Sequence, residues 1–171
     1  MKVGEALTLR SELQSRIQQL RERLKESALV QEGDKPPEDA GKLLTEFEEV
    51  ATQVETLIVR INRTNLATTL PDGRSLTDAL AHRDVLALRL NVIRGVADVA
   101  GERQQRYGRA EIRTLATVDV ADLRRRSDEL ARERRELDIA IQETNWTTDL
   151  IQKPCELVTA KTSGVHQAAA A

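Results

Sequence analysis

Residues 43–61 read LLTEFEEVATQVETLIVRI. Apolar side chains fall at Leu43, Phe47, Val50, Val54, Leu57 and Ile61, steps of four and three, and the positions between hold mostly Glu, Thr and Gln. An α-helix turns once per 3.6 residues, so this spacing draws one apolar seam along one face and demands a neighbouring helix to cover it. A half-buried strand would alternate every second residue.

Working outward, three more stripes of the same period appear. Upstream, Ala6, Leu9, Leu13, Ile17, Leu20, Leu24 and Ala28 form the first. It ends at Glu32-Gly33-Asp34-Lys35-Pro36-Pro37, where glycine suits a left-handed stop and the prolines can open the next helix. Downstream, Pro71-Asp72-Gly73 reads as a turn, and Ser75 with Asp78 resembles a capping box. These open a third stripe of Ala79, Arg83, Leu86, Leu90, Ile93, Ala97 and Ala100. Asp119 is placed as the N-cap of a fourth: Val120, Leu123, Ser127, Leu130, Arg134, Leu137 and Ile141.

The expected fold is therefore all-α, an antiparallel four-helix bundle or two packed long helical hairpins, with helices over about 4–30, 37–65, 75–101 and 119–145. One helical domain spans 1–150, and the small, polar stretch 151–171 reads as a flexible C-terminal tail. The third connection, 101–118, is longer than a bundle needs, and its Thr and aliphatic residues suggest a minor two-stranded β pairing of 112–118 with Leu66–Leu70.

The composition agrees. The chain has 171 residues, 26 Lys and Arg against 28 Asp and Glu, and three aromatic residues, Phe47, Tyr107 and Trp146. That is enough chain for one ordinary domain and too few aromatic rings for a base-stacking surface. The one basic stretch, residues 103–135, holds 10 bases and 6 acids, but Arg125, Glu129, Arg132 and Glu136 follow at helical steps and can pair with one another, so nucleic acid is not an expected partner. No run approaches the roughly 20 apolar residues of a membrane span. The N-terminus shows no apolar h-region, and the single cysteine, Cys155, cannot close an internal disulfide, so the cytoplasm is the expected location.

Catalytic signatures are missing. There is no Gly-x-Ser-x-Gly, no phosphate-binding glycine loop, no Glu-x-x-His pair, and the two histidines, His82 and His166, lie far apart. No metal, cofactor or catalytic residue is expected. Two arginines, Arg83 and Arg134, interrupt the apolar seams. They fix helix register through ion pairs on one reading. On another, Arg83 and Asp84 join Arg60, Asn62 and Asn65 in a polar site between the second and third helices that takes an anionic ligand or a partner's chain end. Tyr107 and Trp146 are the large amphipathic rings, each suited to plug a bundle end or to anchor a contact.

Several segments together resemble a family. These are Lys2-Val3-Gly4-Glu5-Ala6-Leu7 with Arg10, Val30-Gln31-Glu32-Gly33 leading to Pro37-Glu38-Asp39, and Leu57-Ile58-Val59-Arg60-Ile61-Asn62-Arg63-Thr64-Asn65. Leu76-Thr77-Asp78-Ala79-Leu80-Ala81 with Arg83-Asp84, Tyr107 with Glu111-Ile112, and Leu137 through Ile141-Gln142 to Asn145-Trp146 complete the set. Over roughly residues 2–150 they resemble the septicolysin-like family of small bacterial helical proteins. The resemblance implies a helical fold, supplies no catalytic residues, and through the label suggests a pore-forming or membrane-disrupting protein.

The expected function is that of a non-enzymatic helical scaffold or interaction protein with coiled-coil seams, acting as a homo-oligomer or through a protein partner. The alternative from the resemblance is the cytolysin, the one reading that calls for a membrane. A second alternative is a ligand-binding or enzymatic protein built on Arg60, Asn62, Asn65, Arg83 and Asp84.

Overall fold

A computed structural model describes residues 1–102 and 115–152. Tyr107, Cys155, His166 and nearly all of the expected tail lie outside the described residues. Four helices account for most of the rest: α1 Val3–Ser27, α2 Ala40–Ala67, α3 Leu76–Gly101 and α4 Val120–Thr147. The helix starts are fixed by side chains. Asp39 accepts from the amides of Gly41 and Lys42, Asp119 from those of Ala121 and Asp122, and Ser75 from that of Asp78. Each cap satisfies amides that the first helical turn leaves without partners.

The architecture is the second of the two forms expected. α1 packs along α2 and α3 along α4, whereas α1 meets α4 and α2 meets α3 over far shorter contacts. Two hairpins therefore abut through their open ends, and the connection 28–39 lies at the far end of the first. Separate apolar clusters hold them. Leu20, Leu43 and Val50 close the first hairpin toward its turn, and Leu70, Leu76, Ala79, Leu86, Leu137 and Ile141 fill the second from the junction outward. Val3, Ala6, Leu57, Ile61 and Leu150 close the junction side of the first hairpin.

The junction reveals an internal two-fold repeat. The amide of Val3 donates to the carbonyl of Thr148 at 3.0 Å, and that of Leu76 to Thr68 at 2.8 Å. Leu150 donates to Met1, and Leu70 to Arg74. The two isolated β-bridges, Lys2 with Asp149 and Ser75 with Thr69, match in the same way. The sequence repeats in register with the structure. Val3, Ala6, Leu7, Arg10 and Leu13 of α1 correspond to Leu76, Ala79, Leu80, Arg83 and Leu86 of α3, while Ile61, Thr64, Asn65, Thr68 and Leu70 correspond to Ile141, Thr144, Asn145, Thr148 and Leu150.

Three expectations need correction. The first helix stops at Ser27, not near residue 30, and Gly33 (φ +94°) serves a separate turn in which the Asp34 amide donates to Gln31. α2 begins only at Ala40, so no apolar face opposes residues 28–30, and a helix without packing does not persist. Leu9 and Ala28 are accordingly exposed, and the buried line of α1 passes through Arg10, as that of α3 passes through Arg83. Of the β pairing expected between Leu66–Leu70 and 112–118, residues 112–114 lie outside the described residues, and 115–118 form no bridge with Leu66–Leu70. Leu70 instead bonds within its own turn, at Arg74 and Gly73, where the positive φ of Gly73 (+85°) closes the chain on itself.

Candidate interaction surface

Three of the polar residues singled out in the sequence, Arg60, Arg83 and Asp84, have local partners. Arg60 donates through Nε to the carbonyl of Ile151 at 3.1 Å, which ties α2 to the chain leaving α4. Arg83 pairs with its neighbour Asp84 at 2.8 Å. Asn62 is exposed, and Asn65 is half-buried with an Oδ1 that has no hydrogen-bond partner. Arg134 lies 3.7 Å from Asp138 on its own helix, one turn on. Trp146 lies over Gly4 at the junction, where a Cβ on residue 4 would meet the indole at 2.8 Å, and the residue remains more than half exposed. It packs on the junction, where the open ends of the two hairpins meet. Of the arginines on α4, Arg125 reaches Asp122 and Glu129, Arg126 reaches Asp122, and Arg132 reaches Glu136.

A different surface stands out on α3. Its seam, Ala79, Leu86, Leu90 and Ala97, is buried against α4, but a second aliphatic line, Val85, Leu88, Val92, Val96 and Val99, faces away and is exposed. The spacing is again helical, so the five share one face. A helix that is apolar on two faces has the composition of one with two neighbours, and among the described residues α4 is the one helix packed along its length. The internal repeat sharpens the point: the equivalent α1 positions are Glu12, Ser15, Gln19, Arg23 and Glu26, all polar. Shared ancestry of the hairpins or a generic need of the fold would give the same chemistry on both. The aliphatic line is a property of the second hairpin alone.

The far ends of the hairpins differ likewise. In the first, Arg23 of α1 makes a two-point ion pair with Glu38 just before α2. In the second the equivalent positions are Val96 and Val118, and with Val92, Val99 and Leu115 they line an open groove of about 740 Å3. A bidentate charge pair has thus been exchanged for an aliphatic cleft continuous with the exposed line.

The ion pair has a pH signature. The Arg23 guanidinium holds the Glu38 carboxyl below its ordinary value of 4.5, and Lys2 does the same for Asp149 at the junction. A carboxyl whose pKa is depressed by folding stabilises the fold above its unfolded pKa and loses that contribution as pH falls through the folded one. Acidification below about pH 4.5 is therefore expected to reduce amide-exchange protection in residues 20–27 and 40–46, near this pair, more than at the valine-lined end of the second hairpin. Glu38→Gln should remove the difference, and equal loss at both ends in the unaltered protein would refute the assignment.

Among the described residues no three His, Cys, Asp or Glu side chains are grouped to hold a metal ion, and no helix is long and apolar enough to cross a membrane.

A family model described as "Family of unknown function (DUF6847)" matches residues 10–150. A similar solved structure is the crystal structure of a functionally unknown conserved protein from Corynebacterium diphtheriae, 43% identical, with a TM-score of 0.83, covering 88% of this chain and 99% of that one. Among curated proteins none matches. These findings overturn the septicolysin-like resemblance: the family that matches carries no such description, and neither does the solved relative. Of the motifs quoted for the resemblance, those in Lys2–Leu7, Leu57–Asn65, Leu76–Asp84 and Leu137–Trp146 lie on the helix seams and the repeated junction, whereas Tyr107, Glu111 and Ile112 lie outside the described residues. They carry no information about lysis.

Proposed function

Because the chain belongs to this family of unknown function, and membership assigns no chemistry, we propose on physical grounds that it is a non-enzymatic helical interaction protein whose working part is the uncovered aliphatic face of α3. The observation that carries this reading is the contrast inside one molecule between Val85, Leu88, Val92, Val96 and Val99 and their polar counterparts on α1. A contiguous exposed apolar line costs solubility, and in a small protein such a line rimmed by charge marks a contact surface. Asp84, Arg89 and Asp98 supply that rim. A chain with one cysteine suits a reducing compartment, and we place the contact in the cytoplasm.

The test is recovery of companions. A tagged chain isolated from its host should retain bound protein, whether further copies of itself or another chain, and Val92→Glu should abolish that retention. Gln19→Glu, the equivalent change on α1, should leave it intact. Equal recovery by all three would eliminate the α3 face as the working surface.

A further inference from the structure

We infer that the occupant of the α3 face is a second copy of this chain, its α3 lying parallel to the first in a two-stranded seam. The inference rests on the contact reading above and names the partner.

Size is the first argument. Leu88 and Val92 are 66% exposed and Val99 75%. With Leu115 and Val118 the line offers apolar surface on the order of several hundred Å2. A stable pair buries about 800 Å2 per partner, so this face with its charged rim approaches what a dimer needs.

The order of residues is the second. Val85, Val92 and Val99 recur every seventh position, with Leu88 and Gly95 at the intervening ones. β-Branched residues at the first core position of a heptad and leucine at the second favour two parallel strands. In that arrangement Asp84 of one copy faces Arg89 of the other, and the pair occurs twice by symmetry. Antiparallel pairing would instead bring Asp84 against Asp98 of the second copy.

Gly95 is the third. A glycine inside a helix costs about 1 kcal/mol relative to alanine. Elsewhere the chain gives a reason for such a residue, since a Cβ at Gly4 would strike Trp146, but at Gly95 it would meet nothing within 4 Å. An exposed helical glycine in the middle of an aliphatic line lets another backbone approach closely. Parallel pairing also sets the two 740 Å3 grooves side by side, so that Leu115 and Val118 join the interface. Because the face occurs once per chain and pairs with itself, assembly closes at two copies.

Sedimentation equilibrium of the purified full chain should give twice the mass of one chain. Leu88→Glu should weaken association by about 100-fold or more, because it would bury two facing carboxylates, with the circular dichroism unchanged. Ser15→Glu, its counterpart on α1, should leave the dimer intact. In a Cys155→Ser background, Val99→Cys should form an interchain disulfide under mild oxidation, since position 99 meets its own counterpart in parallel strands and is held away from it, at the opposite end of the seam, in antiparallel ones. A monomer at all concentrations, a dimer indifferent to Leu88→Glu, or an uncrosslinked Val99→Cys dimer would each overturn the inference. A monomer that still captures a different protein in a Val92-dependent way would refute self-pairing and leave the contact reading standing.

Discussion

Leu86→Ala is expected to lower the unfolding free energy by about 2–5 kcal/mol, the range for emptying a leucine-sized space in a packed core. Leu86 has no exposed surface and belongs to the cluster formed by Leu70, Leu76, Ala79, Leu137 and Ile141. That cluster is anchored at the junction, where the short turn at Leu70 and the capped start of α3 hold it from two sides, so the vacated volume cannot collapse easily. The internal repeat supplies the control. Leu13, the counterpart on α1, is only partly buried and bridges two clusters at their edges. Leu13→Ala should therefore cost less, near or below the bottom of the same range. Urea denaturation of the two variants decides it; equal losses would mean that the second hairpin is no more tightly packed than the first.

Much of this packing is legible in the sequence. The α2 seam from Leu43 to Ile61 is buried or half-buried throughout, and so are the third and fourth stripes, including the arginines within them. Hydrophobic periodicity is strong there because each helix has a continuous partner. It misleads at α1, where Leu9 draws the eye away from Arg10. A reading that scores apolarity prefers the leucine, yet the line from Ala6 to Leu13 through Arg10 is the one that faces α2, and comparison with Arg83 in α3 identifies it. The repeat itself escapes a simple scan because its halves are offset by 73 positions in α1 and α3 and by 80 in α2 and α4. The difference is absorbed by the third connection, which is longer than the first.

The exposed aliphatic line of α3 is harder to see for a related reason. Once the seam of α3 is assigned, Val85, Leu88, Val92, Val96 and Val99 look like ordinary filler between buried positions. They acquire meaning only when α4 is seen to cover one face, and when the matching positions on α1 prove polar. Of the polar residues Arg60, Asn62, Asn65, Arg83 and Asp84, Arg60 donates to the carbonyl of Ile151 and Arg83 pairs with its own neighbour Asp84. Periodicity alone does not separate such local ties from ligand chemistry.

The repeat also makes one small hydrogen bond unequal in its two copies, and that inequality yields a sharp expectation. Thr64 is 1% exposed, donates through its hydroxyl to the carbonyl of Arg60 and accepts at 3.1 Å from the amide of Ile151. Its counterpart Thr144 makes the same bond within its helix, to Ala140. The residue that corresponds to Ile151, however, is Pro71, which has no amide hydrogen to donate. Valine has nearly the shape of threonine, so Thr64→Val would leave the Ile151 amide without its partner at a part-buried site while disturbing little else. The expected loss is about 1–2 kcal/mol, the lower part of the cost of orphaning a buried amide, because Ile151 keeps some access to water. Thr144→Val removes only a bond within the helix, whose carbonyl is already used by the backbone, and should be close to neutral. A thermal or urea comparison that finds the two substitutions equally costly would show that the Thr64–Ile151 bond contributes nothing, and that the junction is held by its leucines and the paired backbone alone.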